Sequence, residues 1–212
     1  MTDSYWLERW QQGRIGFHLT APNANLVAHY SILQGSSRIL VPLCGKSVDL
    51  AWLHDQGHEV VGVDLSELAA QAFFEERGWT ATRHQRGPFL VYTSGRMTFL
   101  VGDFFQLSTE FLGSCDGAYD RAALIALPEP LRATYANKLI SLLPSAARML
   151  LVTLDFDVPG GPPYAVSSEE VESLYGRERT EILSIREAGV EAPSAIDRGA
   201  SYVREVAYSI QL

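Results

Sequence analysis

From residue 37 onward the chain alternates short apolar runs with stretches of helical period. Arg38-Ile-Leu-Val-Pro-Leu43 and Glu59-Val-Val-Gly-Val-Asp-Leu65 have the length and β-branched content of buried strands. Between them Ser47 is placed as a helix N-cap and Gly57 as the stop. Ser66 caps a second helix running through Arg77, in which Leu68, Ala69, Ala72 and Phe73 recur at four-residue spacing. Phe89–Tyr92 and Met97–Val101 flank Thr93-Ser-Gly-Arg96 and predict a hairpin. A strand over Asp116–Asp120 leads to a helix opened by Pro128 and Pro130, with Leu131, Tyr135, Leu139 and Leu142 on one face. Ala147–Asp155 is the next strand, Pro159-Gly-Gly-Pro-Pro163 breaks regular structure, and a short helix covers Ser168–Tyr175. Two β-rich stretches, Thr180–Arg186 and Ser201–Leu212, have no helical pattern between them and predict an antiparallel hairpin at a sheet edge.

Strands alternating with helices imply parallel βαβ units with helices on both faces of one sheet. The expected fold is therefore α/β, a doubly wound, mostly parallel sheet with the C-terminal hairpin at its edge. One domain spans 1–212, and 1–36 forms an N-terminal segment in which Trp6, Leu7 and Trp10 face one side of a helix. No repeat or low-complexity tract is visible.

Composition narrows the partners. The 212 residues hold 17 Lys+Arg against 25 Asp+Glu, a formal net charge of −8 with no basic cluster, which argues against nucleic acid. No apolar stretch approaches the ~20 residues of a membrane span. The N-terminus lacks a basic start followed by an apolar run, so no signal peptide is expected. Two cysteines, Cys44 and Cys115, form no disulfide framework and suit a reducing, cytoplasmic setting.

In an open α/β sheet the ligand lies beyond the carboxyl ends of the strands. The first strand–helix turn, Val41-Pro-Leu-Cys-Gly-Lys-Ser47, ends like a phosphate loop, but Leu40 stands where that loop needs glycine. One glycine is also too few for a dinucleotide fingerprint. Asp64 closes the second strand 19 residues beyond Gly45, where a carboxylate accepts hydrogen bonds from ribose hydroxyls. A tight turn without a pyrophosphate cradle, followed by a ribose acid, suits an adenosine cofactor without phosphates, and S-adenosylmethionine is the obvious one. The alternative reading makes Asp64 a surface acid stabilising the helix start beside Ser66. His54 and His58 are separated by the helix-breaking Gly57 and match no zinc motif, so no metal is expected.

Trp6-Leu-Glu-Arg-Trp10-Gln-Gln-Gly13-Arg-Ile-Gly16-Phe17-His18 resembles the opening of the thiopurine S-methyltransferase family, in its short bacterial form. Leu40-Val-Pro-Leu-Cys-Gly-Lys-Ser47, Gly62-Val-Asp-Leu-Ser-Glu67, Gly102-Asp-Phe-Phe105, Tyr119-Asp-Arg-Ala-Ala123 and Pro159-Gly-Gly-Pro-Pro163 resemble its later motifs in the family's order. The resemblance implies a Rossmann-like methyltransferase using S-adenosylmethionine. It places Trp10, Leu43, Asp64, Phe104 and Arg121 at the cofactor, with Asp64 standing where the family usually has Glu. Asp103 and Phe105 flank the adenine in the same stretch. It places Phe17, Pro162 and Pro163 on the acceptor pocket, and Arg121 and Arg198 where a developing thiolate is stabilised. His18 is either a base or a hydrogen-bond partner of the N-terminal segment. The implied reaction is methyl transfer to the sulfur of thiopurines or other aromatic thiols by a monomeric enzyme. Rival acceptors are selenium or tellurium oxyanions, small thiols or halide. From another class, the chain could be a non-catalytic binder of adenosine ligands.

Overall fold

The computed structural model describes residues 3–14, 18–188 and 192–212. Helices α1 (Asp3–Gln11) and α2 (Ala24–Ala28) precede strand β1 (Arg38–Pro42), helix α3 (Val48–Asp55), strand β2 (Glu59–Asp64) and helix α4 (Glu67–Glu76). Strands β3 (Thr82–Arg86), β4 (Phe89–Ser94) and β5 (Met97–Val101) follow, then α5 (Thr109–Leu112), β6 (Gly117–Asp120), α6 (Ala123–Ala126) and α7 (Glu129–Leu142). The chain ends with β7 (Arg148–Phe156), α8 (Ser168–Tyr175), β8 (Thr180–Glu187), α9 (Pro193–Asp197) and β9 (Val203–Gln211).

The strands join in one sheet of order β3-β4-β5-β2-β1-β6-β7-β9-β8. The central five, β5 to β7, run parallel, whereas β3-β4-β5 on one side and β7-β9-β8 on the other pair antiparallel. Strand alternation divides the core. In β1, Ile39 and Val41 point to the face covered by the N-terminal segment, α3 and α4, whereas Leu40 points to the face of α5–α8. In β7, Leu150 and Val152 take the first face, Met149 and Leu151 the second.

The serine caps fall where the sequence predicts: Ser47 Oγ accepts from Asp49 N–H and Ser66 Oγ from Ala69 N–H. Four expectations need correction. Leu131 is exposed, and α7 buries Arg132, Tyr135, Ala136, Leu139 and Leu142 instead. Leu7 also faces outward while Trp10 is buried. The short helix α9 interrupts the C-terminal hairpin. Strand β3, absent from the sequence reading, is exposed at every position, so no apolar alternation announces it. It holds by main-chain pairing to β4 and by Arg83, whose guanidinium meets Glu67 at 2.8 Å. Among the described residues no helix is long and apolar enough to cross a membrane.

Two strand positions join the layers. Gly62 sits in mid-β2 beneath the turn after β1, where an added Cβ would lie 2.8 Å from Cys44 Sγ and 3.3 Å from Leu50 Cδ2. Asp120 ends β6 fully buried; its Oδ2 accepts from Tyr135 O–H at 2.7 Å and its Oδ1 from Ala123 N–H at 3.0 Å. One carboxylate thus ties α6 and α7 to the sheet.

Gly62→Ala is expected to lower the unfolding free energy by about 1–3 kcal/mol through overpacking. A urea midpoint at or above that of the wild type would show that the Cys44 turn yields freely. Burial pushes the Asp120 carboxyl from its ordinary 3.8 up to about 6, against the hydrogen bonds from Tyr135, Leu124 and Ala123. The folded state then binds more protons than the unfolded chain between those pH values, so this group adds stability as pH falls. The unfolding free energy of the wild type minus that of Asp120→Asn should grow by up to about 3 kcal/mol from pH 7 to 4. A difference independent of pH would refute the raised value.

Candidate active site

Strand order reverses at β1, since the chain leaves it toward β2 on one side and later returns to β6 on the other. Such a reversal opens a crevice at the carboxyl ends of the two strands. A cleft of about 340 Å³ lies there, walled by the turn after β1, the ends of β2, β6 and β7, and residues of α1 and α9.

The turn after β1 begins at Leu43, which takes φ 46°, the one non-glycine in the left-handed region among the described residues. That conformation costs a side-chain-bearing residue roughly 1–2 kcal/mol. Gly45 follows at φ 52° without that penalty. Asp64 secures the reversal: its Oδ2 accepts from Gly45 N–H at 2.8 Å and its Oδ1 from Ser66 N–H at 2.9 Å. Cys44 N–H donates to Val63 C=O at 3.0 Å. Desolvation pushes the Asp64 carboxyl above its ordinary value, opposed by those amide hydrogen bonds. Each carboxylate oxygen keeps a lone pair for a further donor.

A buried polar network forms the floor on the side of the N-terminal segment. Asp49 Oδ1 accepts from Asn23 N–H at 2.8 Å and Oδ2 from Tyr119 O–H at 2.9 Å. Glu205 accepts from the side-chain amides of Asn23 at 3.0 Å and Asn25 at 2.9 Å. Asp49, Tyr119 and Glu205 line the cleft although each is buried. The segment before β1 is thereby pinned to α3 and β9 by buried hydrogen bonds, with Tyr119 of β6 bracing Asp49. Glu205 carried a legible signal, an acid on the inward parity of β9 between Val203 and Ala207. Asp49 is an acid in the first turn of α3, and nothing in sequence pairs it with Asn23.

The fold brings Trp10, Leu43, Asp64, Arg121, Pro162 and Pro163 to this one cleft. Arg121 follows β6, and its charge is felt both at the Tyr119 hydroxyl and at His18. Asp120 engages Tyr135 and α6, and Asp116 lies at the other end of β6, receiving the Ser37 and Arg38 amides. His18 also lines the cleft; burial, then the charge of Lys46, lowers its pKa, so the imidazole is neutral near pH 7.

Two expected residues stand elsewhere. Phe104 is 3% exposed and packs in the core against Tyr135 at 5.3 Å between ring centroids, so it is not a cleft wall. Its apolar surface is better satisfied by the α7 face, while Asp103 Oδ1 caps the turn through Phe105 N–H at 2.9 Å. Arg198 is exposed on the outside of the proline loop, donating to Pro163 C=O at 3.4 Å with its guanidinium 5.6 Å from the Phe156 ring centre. It braces the loop from behind. Phe17 lies outside the described residues. Burial pushes the Cys44 thiol well above its ordinary range, in keeping with a packed residue. His58 is likewise a satisfied core side chain, bonded to Tyr30 Oη at 2.8 Å and Ser36 C=O at 2.7 Å.

Residues 1–212 match the sequence model of the thiopurine S-methyltransferase (TPMT) family. A protein of Pseudomonas putida named thiopurine S-methyltransferase is 44% identical over 214 residues, covering 99% of both chains. A protein of the same name from Bordetella petrii is 40% identical over 216 residues, covering 100% of this chain and 99% of its own. Among solved structures, 1,6-didemethyltoxoflavin-N1-methyltransferase of Burkholderia thailandensis, with bound S-adenosylhomocysteine, superposes at TM-score 0.64 and 19% identity, covering 98% of this chain and 87% of its own. The magnesium protoporphyrin IX methyltransferase of Synechocystis, also with bound S-adenosylhomocysteine, superposes at 0.60 and 16% identity, covering 98% and 95%. These likenesses carry the fold, and the full-length sequence matches carry the family. The chain belongs to the thiopurine S-methyltransferase family of S-adenosylmethionine-dependent methyltransferases.

Proposed function

We propose that this enzyme methylates the sulfur of aromatic or heterocyclic thiols, thiopurines among them. The observation that carries the reading is one cleft in which a ribose-binding carboxylate, Asp64, an arginine, Arg121, and flat apolar walls, Pro162, Pro163 and Trp10, converge. The residues present fit the cofactor. Asp64 has lone pairs for ribose hydroxyls, and the reversal at Leu43 and Gly45 exposes main chain where methionine would lie. The Trp10 indole offers a negative π-face to a sulfonium. When bound, S-adenosylmethionine supplies a methyl group on a positive sulfur that the acceptor sulfur displaces in line.

The protein's work is alignment, charge placement and exclusion of water, which together can lower a barrier by roughly 7–11 kcal/mol. Arg121 holds the acceptor as thiolate, because a fixed cation favours the anion over the thiol. Neutral His18 can take the thiol proton where the acceptor is too weakly acidic to ionise alone. The described residues of the N-terminal segment act as the cover, pinned through Asn23 and Asn25. Pro162 and Pro163 supply stiff apolar surface for a planar ring. The turn over 103–105 would hold adenine through a main-chain group rather than through the buried Phe104 ring.

The test is transfer from labelled S-adenosylmethionine to thiophenol, a mercaptopurine, selenite and tellurite. Sulfur acceptors are expected to lead. Asp64→Ala should weaken cofactor binding about 10- to 100-fold, the worth of hydrogen bonds to a charged group. Arg121→Ala should lower kcat/KM by a similar factor and move the rise of activity to higher pH. An unchanged pH profile with unchanged turnover would remove Arg121 from the chemistry, and cofactor binding without transfer to any acceptor would leave a binding protein.

A further inference from the structure

The cleft has two chemically different ends. Asp64 marks one at β2, and the loop after β7 with helix α9 marks the other. Three strand spacings separate β2 from β7 in the order β2-β1-β6-β7, about 14 Å at the usual interstrand distance. With the cofactor's ribose at Asp64, the far end falls to the acceptor.

Pro162, Pro163, Ala192, Pro193, Ser194 and Asp197 line that far end. Asp197 is the one charged side chain among these described residues. The rotation of α9 is fixed by two small residues: Ala192, just before the helix, and Ala195, within it, are fully buried in one cluster with Leu154, Phe156 and Val203. With that face inward, the acid at 197 reaches the cleft and the base at 198 is carried behind the proline loop, onto Pro163 C=O and the Phe156 ring. The neighbouring pair thus presents its negative member to the acceptor.

We propose that Asp197 sets the acceptor preference, favouring thiols whose ring carries a hydrogen-bond donor or positive group on the edge away from sulfur and disfavouring those with a carboxylate there. This rests on the thiol-transfer reading. The sulfur is served by Arg121 at the junction of β1 and β6, so the two ends of one planar acceptor meet opposite charges. Because Asp197 is exposed, solvent screens its charge, and the effect on each acceptor is about three- to fivefold.

The experiment compares kcat/KM for thiophenol, 4-aminothiophenol and 4-mercaptobenzoate in the wild type, Asp197→Asn and Asp197→Lys. Glu187→Gln, an exposed acid of β8 outside the cleft, controls for net charge. In Asp197→Asn the ratio of 4-mercaptobenzoate to thiophenol is expected to rise about three- to fivefold through KM, and further in Asp197→Lys, with the KM for S-adenosylmethionine unmoved. Glu187→Gln should leave the ratio at its wild-type value. An active wild type whose acceptor ratios do not change in either Asp197 variant overturns this inference alone. A wild type that methylates none of the three thiols overturns the thiol-transfer reading and the inference with it.

Discussion

The Asp64 carboxylate bridging the Gly45 and Ser66 amides is the constraint on which the cleft depends. A chain leaving β1 must reverse within a few residues, and here it does so through a left-handed leucine. The two amides freed by that turn and by the next one would otherwise point into a partly desolvated space, where an unmade hydrogen bond costs about 1–3 kcal/mol each. One carboxylate satisfies both and joins the two loops that receive a ligand. A side chain a methylene longer would reach farther into the cleft but grip the turns less closely, so the aspartate trades reach for rigidity of the frame. The ribose contact proposed for it would use lone pairs left over from that structural task.

The same device recurs at the end of β6 and at the start of α3. Asp120 serves α6 and Tyr135 at the end of β6, and Asp49 serves Asn23 and Tyr119 across the top of α3. Three carboxylates therefore hold the rim of the sheet, each facing main-chain amides or a tyrosine hydroxyl. Buried acids are costly unless fully hydrogen-bonded, which keeps their geometry narrow. The arrangement leaves Arg121 as the cation that β6 itself delivers to the cleft, immediately after an acid committed elsewhere.

The central architecture was legible because local signals agreed. Alternating strands, serine caps at 47 and 66 and the period of α7 all point to one doubly wound sheet. What failed to show is what local sequence does not encode. Strand β3 is an edge held by backbone pairing, so its Thr-Arg-His-Gln-Arg run carries no hydrophobic period. The Asn23–Asp49–Tyr119 contact joins residues 26 and 70 positions apart, and spacing rules do not reach that far. At Phe104 and Phe105 the sequence offers two adjacent rings, and only packing decides that the first belongs to the core.

The Arg198 position carries the sharper lesson about reading sites from motifs. A motif fixes which residues are neighbours in sequence, but on a helix successive side chains are about 100° apart, so one position decides which of them faces the ligand. For α9 that phase is set by Ala192 at its N-cap and Ala195 within it, whose small side chains allow the helix to settle against Leu154 and Phe156. Turning Arg198 inward would drag those alanines off the core and strip the proline loop of its contact to Pro163. The cost of such a rotation is spread over apolar contacts remote from any ligand. The charge offered to the acceptor is in this sense a by-product of core packing, and two family members with the same acid–base pair can present opposite charges if their small residues shift by one position.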